Sequence, residues 1–265
     1  MKPWEVPYSE RFKDRLPRVC LAFVAYGDIA PEVFGSALRW ALQAGDRYKG
    51  RYEIFMPRDG AGTRREQYRA RNSLADEARR MGADFILFLD DDHTLSDCPE
   101  ILDVFFAEEK PLQGGLYVQR RADKIQPVIT HYDDVTGMCT WATMDELPAF
   151  PGGPVGVLGG GCNWIDVSLL DFMLEPFWWP YPDENRRVNF VPHPIYGLDM
   201  HFCIKASRLG VQPWLNRRVQ IGHVRTEHEV IYPPGMVSEK VCDHCDETAK
   251  WEDDRWVCSG CAEAA

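Results

Sequence analysis

The stretch that decides the fold is Ala83-Asp84-Phe85-Ile86-Leu87-Phe88-Leu89-Asp90-Asp91-Asp92-His93, a short apolar run that ends in three carboxylates. An apolar run of this length with aromatic and branched residues, entered from Gly82, predicts a buried strand of a mostly parallel sheet. Open α/β sheets bind their ligands just beyond the carboxyl ends of such strands. Because clustered carboxylates repel each other, we expect a cation here, and hard oxygen ligands suit Mg²⁺ or Mn²⁺.

Strand and helix patterns alternate around this stretch. We predict strands over residues 18–25 and 52–56, a helix that begins at Pro31 and a second helix over residues 64–81. This alternation is typical of βαβ units and of a nucleotide-binding α/β domain. We therefore assign the chain to the α/β class.

After Pro111 the pattern changes, because strand candidates follow one another without long helices. They cover residues 114–118, 127–131, 138–143, 211–215 and 219–221. Gly152-Gly153-Pro154 predicts a loop, and residues 198–209 predict a helix that Gly210 ends.

Composition limits the functional classes. The chain has 265 residues and a net charge of −11, which excludes a surface that binds nucleic acid non-specifically but leaves room for a local basic groove. No run of about 18 apolar residues is present, and the N-terminus does not have the pattern of a signal peptide. We expect a protein with no membrane partner, located in the cytoplasm (the host's cytoplasm if a phage encodes it).

The cysteines predict a second, smaller unit. Four of the nine form two Cys-x2-Cys pairs, Cys242 with Cys245 and Cys258 with Cys261, around a short hairpin pattern with Trp251 and Trp256. This spacing predicts a zinc ribbon in which four thiolates hold one structural Zn²⁺. We place the domain boundary at residue 235, with the ribbon over residues 236–265, and its role is to bind DNA or protein or to cap the fold. The other five cysteines are expected to be inert buried thiols.

Three further places carry candidate site residues, each with a plain structural alternative. Arg71 and Asn72 could contact a diphosphate or a base, or lie on a solvated helix face. Asp199 could cap a helix or act as a general base at a helix mouth. His223, after Gly222, could be structural or could complete the coordination of a metal ion.

The order of these motifs resembles that of the GT-A glycosyltransferases, particularly the short soluble ones of phages and bacteria. The resemblance covers residues 18–226 and implies a Rossmann-like nucleotide-binding half in a mixed sheet with flanking helices. It also implies that Asp90 and Asp92 hold a divalent ion and touch the donor's ribose, and that the late metal-ligating histidine is His223. The family's Gly-Glu-Asp-x-x-Phe/Trp segment, which supplies the inverting base, stands here as Gly197-Leu198-Asp199-Met200-His201-Phe202, with Leu198 in place of Glu.

The resemblance implies a metal-dependent, inverting glycosyltransferase whose donor is a nucleotide-diphosphate sugar, with a UDP-sugar favoured. Its donor-binding residues would be Tyr26, Gly27, Asp28, Arg71, Asn72, Asp90, Asp91, Gly160 and Gly161. Trp178 and Trp179 would stack on a sugar or a base, or pack in the core. The acceptor would be a 5-hydroxymethylated pyrimidine in phage DNA, a glycan or a small molecule; for DNA, paired arginines such as Arg217-Arg218 would track phosphates. The alternatives are a catalytically inactive binding module and a nucleotidyltransferase.

Overall fold

The computed structural model describes residues 2–25, 31–57, 67–95, 98–119, 125–133, 135–136, 139–178, 198–226, 229–233, 239–241, 248–252 and 255–258. Within these ranges the α-helices are α1 Tyr8–Arg11, α2 Pro31–Arg47, α3 Gln67–Arg80, α4 Ile101–Glu108 and α5 Leu198–Arg208. The strands are β1 Arg18–Val24, β2 Glu53–Phe55, β3 Phe85–Asp90, β4 Leu112–Leu116, β5 Ile129–Tyr132, β6 Cys139–Trp141, β7 Gly152–Pro154, β8 Val157–Leu158, β9 Cys162–Asp166, β10 Trp214–Gln220, β11 His223–Thr226, β12 Glu229–Ile231, β13 Glu239–Val241, β14 Thr248–Glu252 and β15 Arg255–Cys258.

Seven strands form one mixed sheet in the order β2-β1-β3-β9-β4-β10-β7. β1 runs parallel to β2 and β3, and β4 runs parallel to β10. β9 is inserted antiparallel between β3 and β4, and β7 closes the far edge antiparallel to β10. The α/β class and the mixed sheet with flanking helices are thus confirmed, whereas the expectation of a mostly parallel sheet around β3 is wrong on the β9 side.

β3 contributes side chains to two hydrophobic cores, one on each face of the sheet. Ile86 and Phe88 pack on the side of α3 and α5, while Phe85, Leu87 and Leu89 pack on the side of α2 and α4. Burial of each such large apolar side chain contributes about 1.5–3 kcal/mol. Because both faces of β3 are covered, its sequence is continuously apolar until it leaves the sheet at Asp90.

Four elements differ from the sequence expectations. Gly152-Gly153-Pro154 is the edge strand β7 and not a loop, a position at the sheet edge where a strand tolerates proline. Residues 211–215 and 219–221 were expected as two strands, but residues 214–220 form the single strand β10. β9 and the helix α4 had no predicted counterpart.

The C-terminal unit contains a three-stranded antiparallel sheet of β13, β14 and β15. Trp251 is paired with Trp256 across the hairpin, as the sequence predicted, and Cys258 at the end of β15 is paired with Ala249. Cys242, Cys245 and Cys261 lie outside the described residues, so the zinc site stays a prediction.

Four of the five remaining cysteines match the prediction of buried thiols. All five are free thiols; four are buried and Cys139 is half-buried. Burial raises the pKa of Cys20, Cys162 and Cys203 to about 12. In the described part of the chain, no helix combines the length and the apolar character that crossing a membrane requires.

Candidate metal centre and active site

Three chain segments meet at the carboxyl end of β3. The Asp90 amide donates a hydrogen bond to the Gly161 carbonyl at the entrance of β9, 3.1 Å away. The Val224 amide of β11 donates to the Asp92 carbonyl at 2.7 Å, and His93 and His223 form an antiparallel β-bridge. These backbone bonds hold the turn after β3 against the start of β11, so the side chains of this turn lie beside those of residues 130 positions later.

Asp92, His93 and His223 form a potential metal-binding triad, with one ligand atom from each lying within 4.8 Å of the others. One Asp92 carboxylate oxygen lies 2.9 Å from His93 Nδ1, and the other lies 3.4 Å from His223 Nε2. Ligand atoms that share one ion at about 2.1 Å are themselves separated by roughly 3 Å. The two contacts of Asp92 therefore have the size expected of neighbouring ligands of one divalent ion.

A backbone contact orients His223 for this role. Its Nδ1 lies 2.7 Å from the Val118 carbonyl oxygen, which can only accept, so Nδ1 carries the proton. In the neutral form of the ring, the lone pair that a metal ion would need is then on Nε2, which faces Asp92. Such an outer hydrogen bond from the second ring nitrogen is the usual way in which proteins fix the tautomer of a metal-ligating histidine.

The protonation states of the other two members also suit a cation. Burial lowers the pKa of His93, against the opposing pull of Asp92, and so favours a neutral imidazole. Burial acts to raise the pKa of Asp92, but its contacts with the rings of His223 and His93 outweigh this effect and hold that pKa below its usual range. An ionised carboxylate thus lies beside two imidazoles, whose rings stack on each other at a centroid distance of 4.4 Å, and contacts each of them with one oxygen.

The triad agrees only partly with the metal site that the sequence predicted. Asp92 and His223 are brought together, but the third member is His93, which sequence reasoning did not select. Asp90, which was expected to share the ion, points instead to Arg71 at 2.5 Å. The sequence signal that could have identified His93 is its position directly after the three aspartates, where the chain leaves the sheet.

A cluster of charged side chains around the buried Arg71 lies next to the triad. Arg71 of α3 is almost fully buried and pairs with Asp90, while Asp199 lies in the first turn of α5, where the helix dipole favours a carboxylate. Burial raises the pKa of Asp90, partly offset by Arg71, and the charges of Asp199 and Asp92 raise it further. Asp90 therefore lies within electrostatic reach of both the metal triad and Asp199.

The glycine run 159–161 lies against these side chains. A Cβ on Gly160 would stand within 2.6 Å of Asp199 Oδ1 and Arg71 Nη2, and one on Gly161 would stand within 2.7 Å of His93 Nε2. The run was expected to allow close approach of a donor sugar or an acceptor. The close approach that the structure contains is to the protein's own ionic residues.

Asn72 and Trp178 have structural contacts. The Asn72 amide group donates to the carbonyls of Tyr68 and Trp178 and accepts from the amides of Phe177 and Trp178. Trp178 is buried and stacks on Phe202 with a centroid distance of 4.4 Å, so of the two expected roles it has the core one.

The remaining predicted site residues lie in the turn after β3 or outside the described residues. Asp91 is half-buried in the turn after β3. Tyr26, Gly27 and Asp28, expected to meet the base, lie outside the described residues, as does Trp179.

Comparison with known proteins does not assign the chain to a family. No protein-family model matches the chain, and no curated protein matches it. Among solved structures, the chain is similar to the one titled "Crystal Structure of A197 from STIV", with 14% identity over 82% of this chain and 91% of that chain and a TM-score of 0.49. A similarity at this level supports no conclusion about function, which is therefore inferred from this chain's own residues.

Proposed function

We propose that the protein is a metal-dependent glycosyltransferase that moves a sugar from a nucleotide-diphosphate sugar to an acceptor hydroxyl. The observation that carries this proposal is the Asp92, His93 and His223 triad beside Asp199, at the carboxyl end of a central sheet strand. Ligand sites of open α/β sheets lie at this end. A cation site next to a separate carboxylate provides the two groups that the transfer needs, one for the leaving diphosphate and one for the acceptor proton.

The donor set determines which ion fits. Asp92, His93 and His223 would hold a divalent ion, which supplies positive charge to the diphosphate as it leaves. Two of the three ligand atoms are imidazole nitrogens, which suit Mn²⁺ better than Mg²⁺, since Mg²⁺ prefers oxygen ligands. We therefore narrow the expectation of Mn²⁺ or Mg²⁺ to Mn²⁺.

Asp199 is the general base of the proposal. It would accept the proton of the acceptor hydroxyl as that oxygen attacks the anomeric carbon of the sugar. Burial raises its pKa, while Arg71 and the Gly160 amide oppose this change. A carboxylate with a raised pKa holds the abstracted proton more firmly than an ordinary aspartate, which suits a base.

The acceptor classes are a 5-hydroxymethylated pyrimidine in DNA, a glycan and a small molecule. For DNA, the paired arginines were the supporting feature. Arg217 donates to the Pro148 carbonyl, and Arg218 pairs with Glu108 at 2.7 Å, so this pair gives the DNA acceptor no support. We propose a structural Zn²⁺ for the C-terminal unit, held by Cys242, Cys245, Cys258 and Cys261.

A thermal-shift screen of nucleotide sugars with Mn²⁺ tests the proposal, because a ligand that binds only the folded state raises the melting temperature. We expect one donor to raise it in the wild type and not in Asp92→Asn, with slow Mn²⁺-dependent hydrolysis of that donor. Asp145→Asn, a change at an exposed carboxylate, is the matched control and should behave as wild type.

Three outcomes would contradict this function. If the donor raised the melting temperature of Asp92→Asn as much as that of the wild type, the metal site would take no part in donor binding. Release of pyrophosphate from a nucleoside triphosphate would identify a nucleotidyltransferase. Donor binding without any turnover, with every acceptor class supplied, would identify a binding module.

A further inference from the structure

Arg71 is a buried cation with a specific set of neighbours. Only 1% of its surface is exposed, its Nη2 lies 2.5 Å from Asp90 Oδ1, and its guanidinium carbon lies 5.5 Å from the centre of the Phe88 ring. Removing a charge from water is costly unless fixed partners compensate it. The partners of Arg71 therefore indicate what this side chain does in the fold.

A second carboxylate within the electrostatic influence of Arg71 comes from a distant part of the sequence. Burial raises the pKa of Asp199, and the positive charge of Arg71 is the largest opposing influence. Asp199 Oδ1 and Arg71 Nη2 both lie against Gly160, within 2.6 Å of the point where a Cβ would stand. Arg71 thus pairs with the end of β3 and lies close to the first turn of α5.

This placement argues against a direct contact of Arg71 with a diphosphate. Because only 1% of Arg71 is exposed, its guanidinium would have to leave its position over Phe88 to meet a phosphate that enters from solvent. Its departure would leave Asp90 and Asp199 as two repelling carboxylates without their shared cation. Arg71 Nη2 carries two N–H donors, and this nitrogen both pairs with Asp90 and lies against Gly160 beside Asp199.

We propose that Arg71 is a positioning residue that holds Asp199 in place as the base, by way of the Asp90–Arg71–Asp199 cluster, and does not bind the donor. This inference rests on the proposed function. It replaces the expectation from sequence that Arg71 contacts the diphosphate or the base.

The test uses the full chain with Mn²⁺, UDP as the binding probe and UDP-glucose hydrolysis as the turnover probe. Arg71→Lys should keep UDP affinity within about threefold of wild type, whereas loss of a charge-assisted phosphate contact would weaken it about 10- to 100-fold. Turnover should fall at least about tenfold. In Asp199→Asn, Arg71→Lys should cause no further loss, because residues that act through one another are not additive.

Arg79→Lys, at the exposed end of the same helix, is the matched control and should leave binding and turnover unchanged. If the Arg71 variant does not fold, a crystal structure of the wild-type protein with UDP and Mn²⁺ decides the matter. Arg71 should remain on Asp90 and Asp199, with no guanidinium nitrogen in hydrogen-bond distance of a phosphate oxygen.

Two results would overturn the inference: a bidentate contact of Arg71 with the diphosphate, or additive losses in the double variant. Failure of the wild-type protein to bind UDP with Mn²⁺ would instead count against the proposed function itself, so the two failures are distinguishable.

Discussion

Substituting Gly160 by alanine would place a methyl group against Asp199, the proposed base, and Arg71, the residue proposed to position it. The new Cβ would stand within 2.6 Å of Asp199 Oδ1 and Arg71 Nη2, where ordinary contacts are 3.4–4 Å. These atoms would have to move by roughly 1 Å, and a displacement of that size at reacting groups can cost about 100-fold in rate. Overpacking at a buried site also costs about 1–3 kcal/mol of stability.

The assay measures Mn²⁺-dependent donor hydrolysis, the melting temperature and Mn²⁺ affinity on the same sample. We expect turnover to fall about 100-fold in Gly160→Ala while Mn²⁺ affinity stays near that of wild type. Gly45→Ala is the matched control, since a Cβ there meets nothing within 4 Å. Wild-type turnover in a folded Gly160→Ala protein would refute the placement of Asp199 and Arg71 against this glycine.

Three further predictions concern the same region. Gly161→Ala pushes against His93 and should weaken Mn²⁺ binding at least about tenfold, measured by the electron paramagnetic resonance signal of free Mn²⁺; unchanged binding would contradict the triad. Mn²⁺ should support donor hydrolysis at concentrations well below those needed for Mg²⁺, and equal potency would contradict the proposed nitrogen ligands. Because burial raises the pKa of Asp199 in the folded state, ionisation of this carboxyl group destabilises the folded protein above that pKa. Without metal, the Asp199→Asn variant should therefore have a higher melting temperature than the wild type at pH 8, and this difference should disappear below about pH 4. Donor hydrolysis by the variant should fall about 100-fold or more. A lower melting temperature at pH 8 would contradict that sign.

The sequence was most informative where local pattern and burial agree. β3 was predicted because both of its faces are covered, so its apolar run has no polar interruption. Asp199 was placed in the first turn of a helix from the glycine before it and the apolar stripe after it. β9 escaped prediction because Asn163 and Asp166 interrupt its apolar pattern, although both side chains are buried.

The metal site could be predicted only in part, for a geometric reason. Side chains at i and i+2 share a face only while the chain remains a strand. β3 ends at Asp90, which continues the face of Phe88 towards α3 and meets Arg71 there. Asp92 lies in the turn beyond the strand, where that periodicity no longer applies, and its neighbour His93 becomes the ligand through a β-bridge to His223. Sequence alone does not contain this long-range pairing.

The central claim is that a divalent ion held by Asp92, His93 and His223 binds the diphosphate of a sugar donor. Anomalous scattering at the manganese edge, from crystals soaked in Mn²⁺ and UDP, tests it most directly. We predict a peak about 2.0–2.3 Å from an Asp92 carboxylate oxygen, His93 Nδ1 and His223 Nε2, with diphosphate oxygens completing the coordination. A manganese peak with UDP bound elsewhere, or UDP bound with no manganese at these three residues, would contradict it.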